Sequence, residues 1–476
     1  MPSTWPRASP TPMPSPTCRC WSWSARRLSS IRTPGFPSTP TSAAGESSVG
    51  RWRLATGGCR CQTLAQRRTE RRRGDDPGGG WLGSMLALQY VRSLPRYALV
   101  RATGGRAGVA TGDFSLLHLG DVQEPEPPNG SWRRVLPSLA GICGSDTAAI
   151  TGHASLYLDP LTSYPFVPGH EVVGILAGDG ARVVVEPALG CEVRGLSPLC
   201  ARCVEGRPGL CQRVDEGDLA VGLQTGYCCS TGGGWGEVLI AHESQLHEVP
   251  PALSDEAAVL IEPFACSVHA ALRGAAGAED VVVVQGTGTI GLLTLAAIKL
   301  FCPPRRLIAV AKHPFQRQQA LRLGADQVIR PDEVFQRIRF ATEARRLDGP
   351  NLSLLLGGAD LTFECTGTAA GLDDAFRYTR AGGKVVAVGM PGRESVDWGP
   401  IWQRELTVMG AYAYGTEATG ARTFDMALAA APELGLEQLT GPLFQLSEYR
   451  DAIAYAVQAG RRSTAKVAFD LRGLRL

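Results

Sequence analysis

The stretch "VVVVQGTGTIG", residues 281–291, decides the fold. Four consecutive valines are typical of a buried strand, and the glycines that follow have the spacing G-x-G-x-x-G. Gly286 permits a tight turn, Gly288 lets the backbone approach a pyrophosphate, and Gly291 lets the next helix pack closely on the strand. The N-terminus of that helix offers unpaired N–H groups to phosphate. The stretch therefore predicts a dinucleotide-binding loop.

The segments after this loop alternate between helix and strand. We predict helices over "TIGLLTLAAIKLF" (289–301) and "PFQRQQALRLG" (314–324), and strands at "RLIAVA" (306–311), "LTFECTG" (361–367) and "KVVAVGM" (384–390). Alternating strands and helices indicate a parallel sheet covered on both faces. The fold class expected for this half of the chain is therefore α/β, with a doubly wound parallel sheet.

The end of the second strand of this sheet bears on the choice between NAD and NADP. An acidic residue about 20 positions after the glycines would bind the adenosine ribose of NAD. That place holds Ala311, followed by Lys312 and His313, with Arg317 one helical turn further. No acid is there to repel a 2′-phosphate, and three cationic side chains are near. The sequence favours NADP, while NAD stays open as the alternative.

The preceding half of the chain reads as an irregular, mostly antiparallel β domain. Short β-like runs are broken by Gly and Pro, and the segment from Met85 through "YALVRA" (97–102) is predicted to form strands. Near the C-terminus, "YRDAIAYAVQAG" (449–460) predicts an amphipathic helix and "AKVAFDL" (465–471) a last strand. Two interleaved domains are expected.

Clustered cysteines predict a structural metal site. Cys200, Cys203 and Cys211 stand close together, and Cys191 precedes them by eight intervening residues. Four thiolates form a closed tetrahedral zinc site with no vacancy for substrate, so this zinc would hold a loop. The pair at 228–229 is the alternative source of the fourth ligand. Clustered cysteines without a secretory signal indicate a reducing compartment, and we expect a cytoplasmic protein.

The charge distribution excludes nucleic acid as a partner. The net charge of +3 comes from residues 1–84, which hold 13 arginines and four acids, whereas the rest has 35 basic and 41 acidic residues. No apolar run approaches the roughly 20 residues that span a membrane. Residues 1–84 are rich in Pro, Ser and Arg, and we interpret them as a disordered extension or a wrongly assigned start. A cleaved targeting segment is the second interpretation.

A second group of candidate ligands is scattered along the chain. Cys143, His170, Glu171 and Glu262 offer sulfur, nitrogen and oxygen atoms. Catalytic zinc takes about three protein ligands and keeps an open position, which suits ligands that converge on a cleft. Zinc beside a substrate hydroxyl lowers its pKa and so favours hydride release.

Several phrases resemble one enzyme family. "GICGSD" (141–146), "VPGHEVVG" (167–174), "EPFACSVHA" (262–270) and "DWGPIWQRELTVMGAY" (397–412), together with the glycine loop, are similar to those of the zinc-dependent medium-chain dehydrogenases. The phrase at 262 is closest to the sorbitol and threonine dehydrogenase branch. This resemblance implies a GroES-like β domain over 85–262, completed by 414–476, and a Rossmann domain over 263–413.

The resemblance also implies the ligands of a catalytic zinc. It makes Cys143 and His170 two of them, and Glu171 or Glu262 the third or its water-mediated partner. We favour Glu171 for direct ligation and Glu262 for the bound water. It further implies that the loop between Cys191 and Cys200 is six residues longer than is usual in the family.

Further residues take roles from the same resemblance. Ser145 is expected to pass on the substrate proton, Asp146 to orient the zinc histidine, and Ile290 to press behind the nicotinamide ring. Many relatives carry a relay histidine where this chain has Ala148. His153 stands nearby, but nothing in the sequence shows that it substitutes.

The expected function is hydride transfer between an alcohol or polyol, or its carbonyl, and NADP or NAD. The expected partner is a small-molecule substrate, and the family implies a homodimer or homotetramer. One alternative is a zinc-free reductase of the same superfamily, which the presence of Cys143 and His170 opposes. The other is a zinc-stabilised NADP(H)-binding protein without turnover, which Ala148 and the unusual Cys191 loop favour.

Overall fold

The computed structural model describes residues 83–350 and 352–474, with only the backbone of Ala107. The proposed extension of residues 1–84 therefore lies outside the described residues except for its last two. The strands in this part of the chain are β1 (Ser84–Tyr90), β2 (Leu117–Gln123), β3 (Trp132–Gly141), β4 (Val172–Leu176), β5 (Arg182–Val185), β6 (Leu239–His242), β7 (Leu246–Glu248), β8 (Val281–Gln285), β9 (Arg306–Val310), β10 (Gln327–Ile329), β11 (Arg345–Asp348), β12 (Ser353–Leu356), β13 (Ala359–Glu364), β14 (Thr379–Ala387), β15 (Thr407–Gly410), β16 (Thr440–Phe444) and β17 (Lys466–Asp470).

The α-helices between and after these strands follow the same chain order. They are α1 (Leu94–Ala102), α2 (Ala107–Ala110), α3 (Gly144–Ile150), α4 (Ala201–Val204), α5 (Asp255–Ala258), α6 (Ile261–Gly274), α7 (Thr289–Phe301), α8 (Pro314–Arg322), α9 (Val334–Thr342), α10 (Ala369–Tyr378), α11 (Gly399–Gln403), α12 (Thr423–Ala430) and α13 (Tyr449–Ala456). None of the helices in the described part of the chain combines the length and the apolar character needed to cross a membrane.

A six-stranded, wholly parallel sheet forms the dinucleotide-binding half, as the alternating pattern predicts. Its order is β10-β9-β8-β13-β14-β15. The valines of β8 point alternately to two apolar layers: Val282 and Val284 pack with residues of α6 and α7, whereas Val281 and Val283 pack with residues of α9 and α10. Burial on both faces explains the unbroken run of valines.

The other half is built on a seven-stranded sheet. Its order is β16-β17-β3-β4-β5-β7, with β6 also pairing with β3. All pairs are antiparallel except that of β16 with β17. Strand β17, which comes from the C-terminal segment, pairs with β3, and β3 leads into the candidate site. The predicted α/β fold class, with a mainly antiparallel β half and a parallel half, is confirmed.

One local prediction was wrong. The segment 94–102, expected as strand, is helix α1, and only 84–90 is a strand. Ser93 is extended at the N-cap position and a proline stands in the first turn, where its missing N–H costs nothing. The Ala, Leu and Arg that follow are strong helix formers. The antiparallel hairpin of β11 and β12 had not been anticipated.

Candidate active site and metal centres

Three of the scattered candidate ligands come together. The ligand atoms of Cys143, His170 and Glu171 all lie within 4.8 Å of one another. Cys143 follows β3 as the N-cap of α3, while His170 and Glu171 precede β4. Both His170 and Glu171 are buried. We call these three residues the mixed cluster.

Asp146 lies behind the histidine of the mixed cluster. Its Oδ2 accepts a hydrogen bond from the Cys143 N–H at 3.0 Å, and its Oδ1 is 3.6 Å from His170 Nδ1. Burial opposes the charged imidazole, but Asp146, with Cys143, holds the pKa of His170 well above its usual value. His170 Nδ1 is buried and has no hydrogen-bond partner. Because Nδ1 faces Asp146, the other ring nitrogen remains for a metal.

Glu171 forms a buried ion pair that sequence reasoning missed. Lys466 Nζ, on β17, donates to Glu171 Oε1 at 2.6 Å and Oε2 at 2.5 Å, and both side chains are almost fully buried. A Cβ on Gly141 would lie 2.1 Å from Glu171 Oε2, so only glycine fits beside this carboxylate. The partners are 295 residues apart, and no local pattern could have joined them.

Glu262 stands apart from the three residues of the mixed cluster. It lies in the first turn of α6, where the Cys266 thiol, one turn further, donates to its Oε1 at 3.6 Å. Burial raises the pKa of Glu262 to about 7, although the nearby His170 opposes that rise. His269, on the same helix, pairs with Glu417 at 2.7 Å.

The charges of this region fit a divalent cation. Asp146 and Glu171 are buried carboxylates, Cys143 is a potential thiolate, and Lys466 supplies one permanent positive charge. Buried charges must be paired, because an uncompensated ion in a low dielectric is costly. A divalent cation would balance the net negative charge of these residues. The sulfur, nitrogen and oxygen donors of the mixed cluster suit zinc.

Ser145 and the residues near it occupy the start of α3. Ser145 is partly buried and lies near the Tyr227 hydroxyl. Ala148 follows on the same helix. The exposed His153 shares a hydrogen bond with Thr151 Oγ1 at 3.0 Å.

A second group of ligand atoms brings together Cys191, Cys200, Cys203 and Cys211. We call residues 189–222 around it the cysteine lobe. Backbone N–H groups donate to all four sulfurs: Cys191 N to Cys203 at 3.3 Å, Cys200 N to Cys191 at 3.3 Å, Gln212 N to Cys200 at 3.5 Å and Arg213 N to Cys211 at 3.4 Å. Burial opposes ionisation, but hydrogen bonds from the Gln212 and Cys203 backbones and from the Cys191 and Cys203 side chains lower the pKa of Cys200 to about 6. Cys228 lies outside this group and donates to the Ala220 carbonyl.

Arg194 holds the cysteine lobe together from within. Its guanidinium is fully buried and donates to the backbone carbonyls of five residues, with distances from 2.6 to 3.3 Å: Leu189, Glu216, Leu219, Ala220 and Gly222. Among the described residues it forms no ion pair with a carboxylate. Its charge is near those of Cys228, Cys211, Asp215 and Cys191. The long spacing after Cys191 thus contains the residue that organises the lobe.

The glycine loop has the geometry expected for a dinucleotide. Gly286 has a φ of +90°, and a Cβ on Gly291 would lie 1.9 Å from the Gly286 carbonyl oxygen. A Cβ on Gly288 would meet nothing within 4 Å, so the backbone there is open to a ligand. Ile290 lies in the first turn of α7, and its carbonyl accepts from Ser267 Oγ at 3.3 Å. The loop therefore fits a pyrophosphate approaching over Gly288.

The end of β9 carries the predicted cations. Ala311 is buried, Lys312 is exposed, and His313 is the N-cap of α8. Arg317 is partly buried and donates to the Lys312 carbonyl at 3.3 Å. Burial lowers the pKa of His313, and so do the charges of Lys312, Arg461 and Arg317. Arg461, which sequence reasoning did not select, thus joins this cluster from the C-terminal segment.

Comparison with known proteins identifies related families. Residues 132–251 match the family described as alcohol dehydrogenase GroES-like domain, and residues 289–430 match zinc-binding dehydrogenase. Sorbitol dehydrogenase of Bacillus subtilis is 28% identical over 67% of this chain and 84% of its own length. Erythritol/L-threitol dehydrogenase of Mycolicibacterium smegmatis is 31% identical over 57% of this chain and 74% of its own length.

Solved structures share the fold at lower identity. The 2R,3R-butanediol dehydrogenase from Bacillus subtilis is 22% identical, with a TM-score of 0.58, and the match covers 81% of this chain and 99% of that one. Galactitol-1-phosphate dehydrogenase from Escherichia coli is 20% identical, with a TM-score of 0.57, over 81% and 100% of the two chains. The chain belongs to the zinc-dependent medium-chain dehydrogenases, in the branch of the sorbitol and threonine dehydrogenases.

Proposed function

We propose that this protein transfers hydride between a polyol or related alcohol and NADP, with Cys143 and His170 as ligands of a catalytic zinc. The observation that carries the proposal is the convergence of Cys143, His170 and Glu171 within 4.8 Å, with Asp146 facing the second nitrogen of the imidazole. The named relatives, which are sorbitol, erythritol and related dehydrogenases, support the polyol class. The parallel sheet and its glycine loop support a domain division near residues 262 and 413.

The roles of the residues follow from their surroundings. Zinc, when bound, supplies the Lewis acidity that lowers the pKa of an alcohol, and the nicotinamide carries the hydride. Glu171 is the proposed third ligand through one oxygen, while Lys466 holds the carboxylate in place. Glu262, with its pKa raised to about 7, can hold or release a proton near neutral pH. Ser145 would take the proton of the substrate hydroxyl.

The preference for NADP over NAD is part of this proposal. Lys312, Arg317 and Arg461 form no ion pair with any acid in the described part of the chain, whereas many of its other arginines do. The turn that carries Arg461 packs closely on His313, since a Cβ on Gly460 would lie 2.9 Å from His313 Cδ2. Clustered cations without a counter-ion suit a 2′-phosphate.

Arg461→Gln tests the cofactor preference. We expect the Kd for NADPH, measured by fluorescence titration, to rise about tenfold, because one charge–phosphate interaction is worth about 1–2 kcal/mol. The Kd for NADH should stay unchanged. Arg462→Gln is the matched control, because Arg462 lies on the same turn but stacks over Tyr455 at 4.6 Å. Equal NADPH affinity in both variants and the parent would contradict the preference.

A homo-oligomer in a reducing compartment, such as the cytoplasm, completes the proposal. Strand β15 is the edge of the parallel sheet, and the side chains of Trp398 and Trp402 beside it are 68% and 84% exposed. Unpaired sheet edges with exposed aromatic residues favour association with a second copy. Light scattering of the parent and Trp402→Glu tests this, since the variant should shift toward monomer. The free thiols of the cysteine lobe support a reducing location.

Turnover decides between the proposed enzyme and a binding protein. Purified protein is assayed against a panel of polyols and secondary alcohols with NADP and with NAD, beside the His170→Ala variant. The proposal predicts oxidation of at least one polyol, and loss of about 10³-fold or more in the variant. Tight NADPH binding with no turnover on the whole panel would contradict it and favour the binding protein.

A further inference from the structure

Tyr227 lies against the histidine of the mixed cluster. Its ring centroid is 5.8 Å from that of His170 and 5.2 Å from that of Phe166. Its hydroxyl donates to Asp146 Oδ1 at 3.1 Å. Tyr227 is 81 residues from Asp146 in the chain. Nothing in its sequence surroundings distinguishes it.

The Asp146 carboxylate is fixed at two points. The Cys143 N–H donates to Oδ2 at 3.0 Å, and the Tyr227 hydroxyl donates to Oδ1 at 3.1 Å. The first bond alone leaves the carboxylate free to rotate about its own axis. The second bond sets which way Oδ1 faces. Since Asp146 is 2% exposed, water offers little substitute for either donor.

The oxygen held by Tyr227 is the one that faces the imidazole. Asp146 Oδ1 is 3.6 Å from His170 Nδ1, and that nitrogen has no hydrogen-bond partner. A histidine that binds metal through one nitrogen donates its other N–H to a carboxylate or carbonyl, which fixes the ring. Asp146 Oδ1 stands in that direction, so its placement governs the orientation of His170.

We infer that Tyr227 is a positioning residue of the catalytic centre, acting on His170 through Asp146. The inference rests on the proposed role of His170 as a zinc ligand. Tyr227 also lies near Ser145, so it adjoins both the orienting acid and the proposed proton carrier. Removing the Tyr227 hydroxyl keeps the aromatic packing but releases Asp146.

Tyr227→Phe tests the inference through metal binding. Partners of this kind typically contribute 10- to 100-fold to metal affinity. We expect the variant to lose the zinc of the mixed cluster at least about tenfold faster to a chelator, while the zinc of the cysteine lobe leaves at the rate of the parent. With cobalt in place of the catalytic zinc, the visible spectrum should shift, and kcat should fall more than KM changes.

Tyr164→Phe is the matched control. Tyr164 belongs to the same aromatic group, with its ring centroid 5.5 Å from that of Phe166, but its hydroxyl donates to Asp159 at 3.1 Å. We expect the zinc release and the cobalt spectrum of this control to match those of the parent.

Three results would overturn the inference. Parent-like zinc release in Tyr227→Phe would show that the hydroxyl does not position His170. Equal acceleration in both variants, or loss of the lobe zinc as well, would show a general packing effect. A parent protein that holds zinc only in the cysteine lobe would overturn the proposed function together with the inference, and that result is distinguishable because it requires no variant.

Discussion

The cysteine lobe and the mixed cluster bring ligands together by opposite means. In the lobe, four cysteines within 21 residues receive backbone N–H bonds from their own loop, and a buried arginine ties that loop to itself. In the mixed cluster, ligands from two segments are held by side chains from distant ones: Asp146, Tyr227 and Lys466. The lobe is a local structure, whereas the mixed cluster depends on the assembled fold.

The two sites also differ in charge. The lobe holds potential thiolates with one buried cation, and a closed four-sulfur site leaves no position for substrate. The mixed cluster combines a carboxylate, a thiol and an imidazole, and the charges of His170 and Glu171 influence the pKa of Glu262. If Cys143, His170 and Glu171 bind zinc as proposed, a four-coordinate zinc would keep one position open for substrate. This difference predicts different responses to substitution.

Lys466→Met should have the largest effect. It leaves the Glu171 carboxylate buried without its partner, and breaking such a pair costs about 3–5 kcal/mol. Urea unfolding should show a loss of that size. Lys299→Met is the control, because Lys299 forms an exposed pair with Asp326 and should cost less than about 1 kcal/mol. Similar losses in the two variants would mean that Glu171 does not depend on Lys466.

Arg194→Met should damage the cysteine lobe alone. It removes the donors of five backbone carbonyls, and we expect a loss of at least about 3 kcal/mol in stability. Zinc content should fall by the lobe metal while the mixed cluster keeps its own. Arg213→Met, in the same lobe but on an exposed pair with Glu216, should retain both metals. Loss of the other zinc instead would show that the two sites are not independent.

Glu262 should give the smallest change per step, visible as a gradual pH dependence of the zinc-free protein. Its folded pKa of about 7 lies above the usual 4.5, so between these values the folded state keeps a proton that the unfolded state has lost. Stability contributed by this group is therefore highest below pH 4.5 and falls as pH rises to 7, by up to about 1.4 kcal/mol per unit. Denaturant titrations at several pH values should show a shallower decline in Glu262→Gln. Parallel profiles would contradict the raised pKa.

The regular parts of this fold could be predicted from its sequence. The valines of β8 form the apolar run of a buried strand, and the glycines after them stand where the backbone needs space. Helices α7 and α8 begin and end close to the predicted residues. The prediction for segment 94–102 was wrong because its apolar residues are compatible with a strand or a helix. Ser93 at the N-cap and Pro95 in the first turn favour the helix.

The candidate ligands could be selected from the sequence, but not the residues that hold them. Cysteine and histidine are common metal ligands, and their spacing can be read from a sequence. Cys143, His170 and the four lobe cysteines could therefore be selected in advance. Lys466, Tyr227 and Arg461 are common residue types whose importance arises only when distant segments pack together. No sequence pattern marked Arg194 either, because its role depends on five backbone carbonyls that come together only in the folded loop.

The central claim, that this chain holds one catalytic and one structural metal, is tested most directly by zinc content per chain in the parent, His170→Ala and Cys200→Ser. We predict two zincs in the parent and one in each variant. His170→Ala should lose polyol oxidation together with the catalytic zinc, whereas Cys200→Ser should lose mainly stability. A parent with a single zinc that ignores the His170 substitution would contradict the account.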